Sequence, residues 1–274
     1  MPSPYIGVTG FETLKQVDNI ARMISGKSYL LMNGVLVSHK TLNGQPNNWP
    51  MRYPKREDVT DLFSIHSSVM NIVHYNTREP ATLVPQLLGI IGLCHASRHL
   101  RGLGMPGPTL DGFQLNMRWP DPNTLRQFKE LTQNRYQIIL QIGKGALSMA
   151  NTEEATWYAP QHIVSMLSPY QGITDYILLD PSSGLGLPLE IDVIDRYLEA
   201  IYRESFSFGI GIAGGFSKET ARSILPLVGK YHDLSVDAEG KLRDEDDRFS
   251  MDKATAYVEE MSRVLMYSKE TLRT

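Results

Sequence analysis

Short apolar runs rich in β-branched residues alternate with longer amphipathic segments along the whole chain. The short runs predict eight strands, at residues 5–8, 29–37, 71–74, 112–115, 136–142, 175–179, 208–213 and 234–236. Between them, helical periodicity predicts helices that include residues 11–24, 82–100, 123–134, 191–203, 217–228 and 251–265. This alternation predicts an α/β fold, a (β/α)8 TIM barrel with residues 1–274 as a single domain. An open, doubly wound sheet is the alternative.

Polar residues cluster where the predicted strands end. In a (β/α)8 barrel the carboxyl ends of the strands and the loops after them form the active face, so these residues are candidates for a site. The candidates for catalysis are His74, Asp180 and Asp237. The candidates for substrate binding are Thr9, Lys40, Asn76, Gln114, Asn116, Arg118 and Glu239.

Two glycine-rich turns follow predicted strands, at residues 179–186 and 211–217. Glycine permits a positive φ and a close approach of backbone N–H groups, and the helix that follows adds a partial positive charge, so such turns hold phosphates. Tight strand-to-helix turns need glycine in any case, which is the alternative explanation. The predicted phosphate-binding residues are Ser182, Ser183, Gly184, Gly186, Gly214, Gly215 and Gly240.

A long loop without periodicity, at about residues 38–58, follows the second predicted strand. It carries Trp49 and Tyr53 among several basic residues. Loops of this kind in a compact domain are commonly lids or binding loops, and an aromatic ring there can stack on a planar ligand. The alternative is that Trp49 pins the loop to the barrel while its charges are solvated.

Composition excludes several classes of partner. The 274 residues have a net charge of −3 and one cysteine, Cys94. Nucleic-acid and membrane-surface proteins bind through dense basic faces, so neither partner is expected. The absence of a cysteine framework, a signal peptide and a long apolar span predicts a cytoplasmic protein. No histidine or carboxylate spacing predicts a metal site, and we expect no cofactor; a homodimer is left open.

Several of these segments resemble phosphoribosylanthranilate isomerase. Residues 112–116 read Gly-Phe-Gln-Leu-Asn, similar to the Gln-Leu-His of that family's fourth strand, and residues 213–216 read Ala-Gly-Gly-Phe, similar to its Ala-Gly-Gly-Leu. Leu179-Asp180 followed by Gly184-Leu185-Gly186 resembles its sixth-strand aspartate and glycine turn, and residues 235–244 occupy the place of its eighth-strand phosphate turn. The resemblance implies a (β/α)8 barrel for a phosphorylated pentose, with Asp180 as general acid.

The chain also departs from that family. Where the family carries a cysteine as general base, this sequence has Thr9, whose hydroxyl is too weakly acidic to serve as a resting base. His74 is the predicted replacement. Glu239 would repel a phosphate if it pointed inward, although Lys241 and Arg243 would offset this. We therefore expect an enzyme for a small phosphorylated or nucleotide-linked pentose that is not the authentic isomerase.

Two other functions remain open at this point. Asp180 and Asp237 together would suit an N-ribosyl hydrolase, since nearby carboxylates stabilise an oxocarbenium-like centre. A protein that keeps the phosphate turns without a base would be a non-catalytic nucleotide or sugar-phosphate binder. The residues also have structural explanations: Asp180 as a helix cap, Asp237 as a loop-ordering group, and His74 as a buried histidine.

Overall fold

The computed structural model describes residues 2–100, 109–143, 146, 160–181 and 189–270. Within these residues eight parallel strands close into a barrel, each pairing with the next along the chain and the last with the first. This confirms the predicted (β/α)8 barrel. The strands are β1 Tyr5–Thr9, β2 Leu30–Ser38, β3 Val69–Asn76, β4 Gly112–Leu115, β5 Gln137–Gly143, β6 Tyr176–Asp180, β7 Gly209–Ala213 and β8 Ser235–Ala238.

The helices that the structure describes surround the barrel. They are α1 Leu14–Ile24, α2 His39–Leu42, α3 Leu83–Leu100, α4 Pro122–Leu131, α5 Pro160–Leu167, α6 Ile191–Arg203, α7 Leu225–Lys230 and α8 Met251–Glu270. Short 3-10 turns occupy Arg56–Leu62, Pro80–Thr82, Ser168–Tyr170, Ala221–Ile224 and Gly240–Leu242. None of the described helices is long and apolar enough to cross a membrane.

Two helices begin later than predicted, for local reasons. Thr13 caps α1 by accepting a hydrogen bond from the Gln16 N–H, while the Gln16 side chain accepts one from the Thr13 N–H. Phe11 is therefore outside the helix and packs on Phe249, with ring centroids 4.8 Å apart. In the predicted helix 217–228, a 3-10 turn at Ala221–Ile224 comes first and α7 begins only at Leu225, where a proline in the first turn suits a helix start.

The interior of the barrel follows from the period-two alternation of the strands. The lower layers are filled by a cluster that includes Tyr5, Met32, Ile139 and Tyr176. Glycines face these large side chains: a Cβ on Gly209 would lie 2.6 Å from the Tyr176 ring. Outward side chains pack instead in the larger core between strands and helices.

The same alternation turns polar side chains inward at the carboxyl end of the barrel. Thr9 follows Tyr5 by four residues and Asp180 follows Leu178 by two, so both share the inward face. Thr9, Gln114, Asp180 and Asp237 are all buried. The barrel therefore has an apolar lower interior and a polar upper layer.

Gly34 should be intolerant of even a methyl group. A Cβ there would lie 2.1 Å from the Thr9 Oγ1 and 2.8 Å from the His74 Nε2. We expect Gly34→Ala to lower the free energy of unfolding by about 1–3 kcal/mol, because a packed interior resists added volume. Gly229→Ala in α7 is the control, since no neighbouring atom lies within 4 Å of its added Cβ. Urea unfolding of both variants measures this change. Equal stability of the two variants would show that the Gly34 site can accommodate a methyl group.

Candidate active site

A pocket opens at the carboxyl ends of the strands, with a cavity volume of about 70 Å³. Side chains and turns from β2 through β8 contribute to its wall. The lining residues are Leu36, Tyr53, His74, Tyr75, Asn76, Gln114, Asn116, Gln141, Asp180, Ala213, Gly214, Gly215, Phe216, Asp237, Ala238, Glu239, Gly240 and Lys241.

Asp237 is the most perturbed acid in this pocket. It projects inward from β8 opposite Gly7, where an added Cβ would lie only 2.5 Å from its Oδ1. That oxygen is buried and accepts no hydrogen bond from the described residues, and Oδ2 accepts one long hydrogen bond, 3.4 Å, from the Gln114 amide. Burial and then the charge of Glu239 raise the pKa of Asp237 to about 7, with a smaller contribution from Asp180. Asp237 can therefore exchange a proton near neutral pH.

Two amide side chains connect Asp237 to Asp180 across the upper layer. The Gln114 Nε2 donates to the Gln141 Oε1 at 3.1 Å, and the Gln141 Nε2 donates to the Asp180 Oδ2 at 2.8 Å. The Gln141 side chain accepts with its Oε1 and donates with its Nε2, so these two hydrogen bonds fix the direction in which its amide points. This chain of hydrogen bonds joins the two carboxyl groups of one pocket.

Thr9 and His74 form a separate buried pair beside this chain. The Thr9 Oγ1 lies 3.5 Å from the His74 Nδ1 and 3.4 Å from its Nε2. Burial lowers the pKa of His74 to about 3, so its imidazole stays neutral at physiological pH. A neutral ring with so low a pKa accepts protons weakly, and the pocket group whose pKa matches neutral pH is Asp237. A catalytic role for His74 stays a prediction.

Arg52 holds the loop after β2 against the loop after β8. Its Nη1 lies 3.1 Å from the Glu239 Oε1, and its Nε donates to both carboxylate oxygens of Asp247. Tyr53, the next residue, then lines the pocket. Trp49 is 57% exposed and lies over the Arg52 guanidinium at 4.9 Å, so it does not pin the loop to the barrel. The ion pair with Arg52 also offsets the negative charge of Glu239, which we expected to repel a phosphate.

Arg243 fills the space between β1 and the loop after β8. Its side chain is 4% exposed, and its Nη1 donates to the Asp247 carbonyl oxygen. A Cβ at Gly10 would lie 2.1 Å from the Arg243 Nη2, and Gly10 has a φ of +98°, so only glycine suits this position. Arg243 thus supports the rim from behind and is not part of the lining.

The glycine turns after β7 and β8 meet at one side of the pocket. Gly214, Gly215 and Gly240 all line it, together with Lys241. Gly215 has a φ of +59°, and its carbonyl oxygen accepts a hydrogen bond from the Thr220 hydroxyl. The other half of the predicted phosphate site, Ser182, Ser183, Gly184 and Gly186, lies outside the described residues.

Most of the remaining predicted residues come together here, and three do not. Thr9 is fully buried behind His74, where the missing side chain of Gly34 makes room for it. The Lys40 amine donates to Asn48 in its own loop, and Arg118 is exposed after β4. Position after a strand identifies the rim, but the direction of a loop side chain depends on contacts that the local sequence does not encode.

The pairing of Arg52 with Asp247 and the seating of Tyr53 in the lining were not foreseen from the sequence. The two charged residues are 195 positions apart, and basic and acidic residues are common in both loops. The inward glycines offered a usable signal. Gly7 and Gly34 each interrupt a strand at a position where period two places the side chain inside the barrel.

Solved structures with the same architecture cover nearly the whole chain. Phosphoribosylanthranilate isomerase from Thermus thermophilus matches with a TM-score of 0.55 and 12% identity, over 95% of this chain and 99% of that one. The isomerase from Thermotoga maritima matches with a TM-score of 0.58 and 14% identity, over the same shares of the two chains. The chain has the fold of phosphoribosylanthranilate isomerase.

A third similar structure is a phosphoribosylanthranilate isomerase in complex with reduced 1-(o-carboxyphenylamino)-1-deoxyribulose 5-phosphate, with a TM-score of 0.56, 14% identity and coverage of 95% and 99%. No protein-family model matches the sequence, and no curated protein sequence matches it. Identities this low establish the fold alone. The predicted likeness to the isomerase barrel is thus confirmed at the level of fold.

If Arg52 holds the loop, its removal should loosen that loop specifically. We expect Arg52→Gln to speed amide hydrogen exchange in residues 49–55 several-fold, because both acidic partners of Arg52 lie in the loop after β8. Global stability should change by less than about 1 kcal/mol, since this pair is partly exposed to solvent.

Arg248→Gln is the matched control, because the Arg248 Nη2 pairs with Glu12 at 3.1 Å on a different part of the rim. Its exchange in residues 49–55 should equal that of the unmodified protein. Equal exchange in both variants would mean that the loop is held by other contacts.

Proposed function

We propose that this barrel is an acid–base enzyme that isomerises a small phosphorylated or nucleotide-linked pentose. The observation that carries the proposal is Asp237, a buried carboxyl group with a pKa of about 7 and an unpaired oxygen, joined through Gln114 and Gln141 to Asp180. General catalysis is most effective when the pKa of the catalytic group lies near the working pH. Two acids in one pocket supply both halves of a proton transfer.

The position of Asp237 supports its role as the base. In the isomerase family that this fold resembles, the base is a cysteine at the place of Thr9, and the Thr9 hydroxyl cannot replace it. Asp237 lies on β8, the strand adjacent to β1, in register with Gly7. We infer that the general base of this protein lies on β8, one strand away from its place on β1 in that family. His74, neutral and buried, then lines the pocket without acting as the base.

The reaction needs two protons delivered to the sugar and two removed from it. Asp180 gives a proton to the ring oxygen of the sugar as the bond from that oxygen to C1 breaks, and the Asp237 carboxylate removes a proton from C2. Return of a proton to C1, with loss of the hydroxyl proton on C2, converts the resulting enediol to a ketose. Atoms are conserved, so product and substrate have the same mass.

The glycine turns support a phosphate on the substrate. Gly214, Gly215 and Gly240 bring backbone groups to one side of the pocket, and Lys241 adds a positive charge there. One of the similar isomerase structures contains a deoxyribulose 5-phosphate derivative. A pentose phosphate would place its phosphate at these turns and its C1 and C2 toward the carboxyl groups.

N-ribosyl hydrolysis is the second candidate, because the two carboxyl groups share one pocket. Asp180 would protonate the leaving nitrogen, and Asp237 would take a proton from the attacking water. This reaction uses the same residues and gives different products, a free base and a pentose.

Product mass distinguishes the candidates. We expect incubation with ribose 5-phosphate, nucleoside monophosphates and phosphoribosylanthranilate to yield an isomer of unchanged mass from one phosphopentose, read by chromatography and mass spectrometry. Phosphoribosylanthranilate itself should turn over poorly, since Thr9 stands in the place of the family's base. A released base would favour hydrolysis, and tight binding without any product would show that the barrel is a binding protein.

Substitution tests the assigned residues. Asp237→Asn and Asp180→Asn should each lower kcat by on the order of 100-fold, because an amide cannot exchange the proton. Activity of the unmodified enzyme should rise with pH through about 7 as Asp237 ionises. Asp252→Asn, at an exposed position in the first turn of α8, is the control and should keep full activity. Full turnover in Asp237→Asn would remove Asp237 from the mechanism.

A further inference from the structure

The barrel interior holds a hydrogen-bond donor and an acceptor that both lack partners. The Tyr5 hydroxyl and the Asp237 Oδ1 are buried and form no hydrogen bond within the described part of the chain. Tyr5 is 0% exposed and Asp237 is 6% exposed. Unpartnered polar groups are costly in a protein interior, and an internal water commonly bonds to such groups. Because one group donates and the other accepts, a single water between them would satisfy both.

The Tyr5 side chain crosses the interior beneath Asp237, on the side of the amino ends of the strands. It begins on β1, and its hydroxyl oxygen lies 3.1 Å from the position that a Cβ of Gly211 would occupy on β7. The strand that carries Asp237, β8, pairs with both β1 and β7 and so lies between them. The Tyr5 ring is held by an edge-on contact with the Tyr176 ring, with centroids 5.3 Å apart. The hydroxyl is therefore fixed under the Asp237 side chain.

The strand register gives the separation between the two groups. Gly211 pairs with Ser235, which precedes Asp237 by two residues on β8. The hydroxyl beside Gly211 therefore lies about two residues nearer the amino end of the barrel than Asp237. Two residues of a strand span about 6.6 Å, whereas two O–H···O hydrogen bonds through one water span about 5.5 Å. The gap is too long for a direct hydrogen bond and has the length that one water bridges.

The two carboxyl oxygens of Asp237 have different surroundings. Oδ1 occupies the space that Gly7 leaves free, where an added Cβ would lie 2.5 Å from this oxygen and 2.8 Å from the Met32 Cε. Oδ2 lies on the side of the Gln114 amide, which lines the pocket and donates to it at 3.4 Å. Oδ1 therefore faces the interior, and Oδ2 is the oxygen that a ligand in the pocket can approach.

We propose that a buried water joins the Tyr5 hydroxyl to the Asp237 Oδ1, and that Tyr5 is thereby a positioning residue for the base of this barrel. Tyr5 donates to the water, and the water donates to Oδ1. Held at Oδ1, the carboxyl group presents Oδ2 to the pocket for proton exchange. The catalytic meaning of this contact rests on the proposed function, whereas the water bridge itself requires no substrate.

Loss of the Tyr5 hydroxyl should change the titration of Asp237 in one direction. Burial keeps the pKa of Tyr5 well above its ordinary value, so Tyr5 is a neutral donor at physiological pH. A donor to Oδ1 favours the ionised carboxylate, as the hydrogen bond from Gln114 does at Oδ2. Removing the donor should therefore raise the pKa of Asp237 further. The other titratable groups that interact with this carboxyl are Glu239 after β8, Asp180 from β6 and Tyr257 from α8.

Carbon-13 NMR of labelled aspartate carboxyl groups tests this direction, with Asp237→Asn to assign the signal. We expect the titration midpoint of Asp237 in Tyr5→Phe to lie about 0.5–1 higher in pH than in the unmodified protein, since a hydrogen bond to the charged form is lost. Tyr176→Phe is the matched control, because it removes a hydroxyl from the same interior cluster, and that hydroxyl donates to the Ser3 carbonyl oxygen at 2.7 Å. Its midpoint for Asp237 should be unchanged. Equal midpoints in all three proteins would overturn the role of Tyr5.

A high-resolution crystal structure tests the water directly. We expect one ordered water within about 3.2 Å of both the Tyr5 hydroxyl and the Asp237 Oδ1, and its loss or displacement in Tyr5→Phe. A Tyr5 hydroxyl bonded to another acceptor, or a side chain filling the gap, would overturn the inference. Because neither measurement uses a substrate, that result would leave the proposed function standing. A midpoint near 4 for Asp237 in the unmodified protein would instead reject the proposed base, and the positioning role would fall with it.

Discussion

A carboxyl group that is buried beside other acids resists ionisation, and the closure of the barrel keeps Asp237 in that condition. Because β8 pairs with β1, the Asp237 side chain is pressed into the space that Gly7 leaves empty. One carboxylate oxygen is buried there and receives no hydrogen bond from the described residues. Burial and the charge of Glu239 raise the pKa of Asp237 to about 7, which suits the proton transfer that we propose at this pocket.

The other charged residues of the rim are arranged so that the pKa of Asp237 stays raised. Arg52 is close enough to the pocket to neutralise an acid, but it is committed to Glu239 and Asp247. Arg243 is buried behind Gly10. A guanidinium next to Asp237 would favour its ionised form and lower its pKa. The ion pairs of Arg52 therefore connect the two loops and offset the charge of Glu239, while Gln114 and Gln141 connect Asp237 to Asp180.

The fold could be predicted because it depends on periodicity. Eight apolar runs gave the eight strands to within a few residues, and the order of strands and helices implied a closed barrel. Strand ends then identified the rim, including Asp180, His74 and Asp237. The predicted helix starts were less accurate where a capping residue sets the first turn, as Thr13 does for α1.

The details of the pocket depend on contacts between distant segments. Packing around the closed barrel buries His74, which lowers its pKa, and places Thr9 behind it. The same packing brings Arg52 into contact with Asp247. A residue's place after a strand does not reveal these neighbours. Glu239 and Trp49 differ from their predicted roles for the same reason. Glu239 is paired with Arg52, and Trp49 covers Arg52 at the surface.

Titration of Asp237 itself tests the account most directly. Carbon-13 NMR of the protein labelled at aspartate carboxyl groups, with Asp237→Asn to assign the signal, follows this group alone. The account predicts a midpoint near pH 7 for the Asp237 carboxyl. A midpoint near 4, about that of an aspartate in water, would show that the group is solvated or paired and would contradict the account.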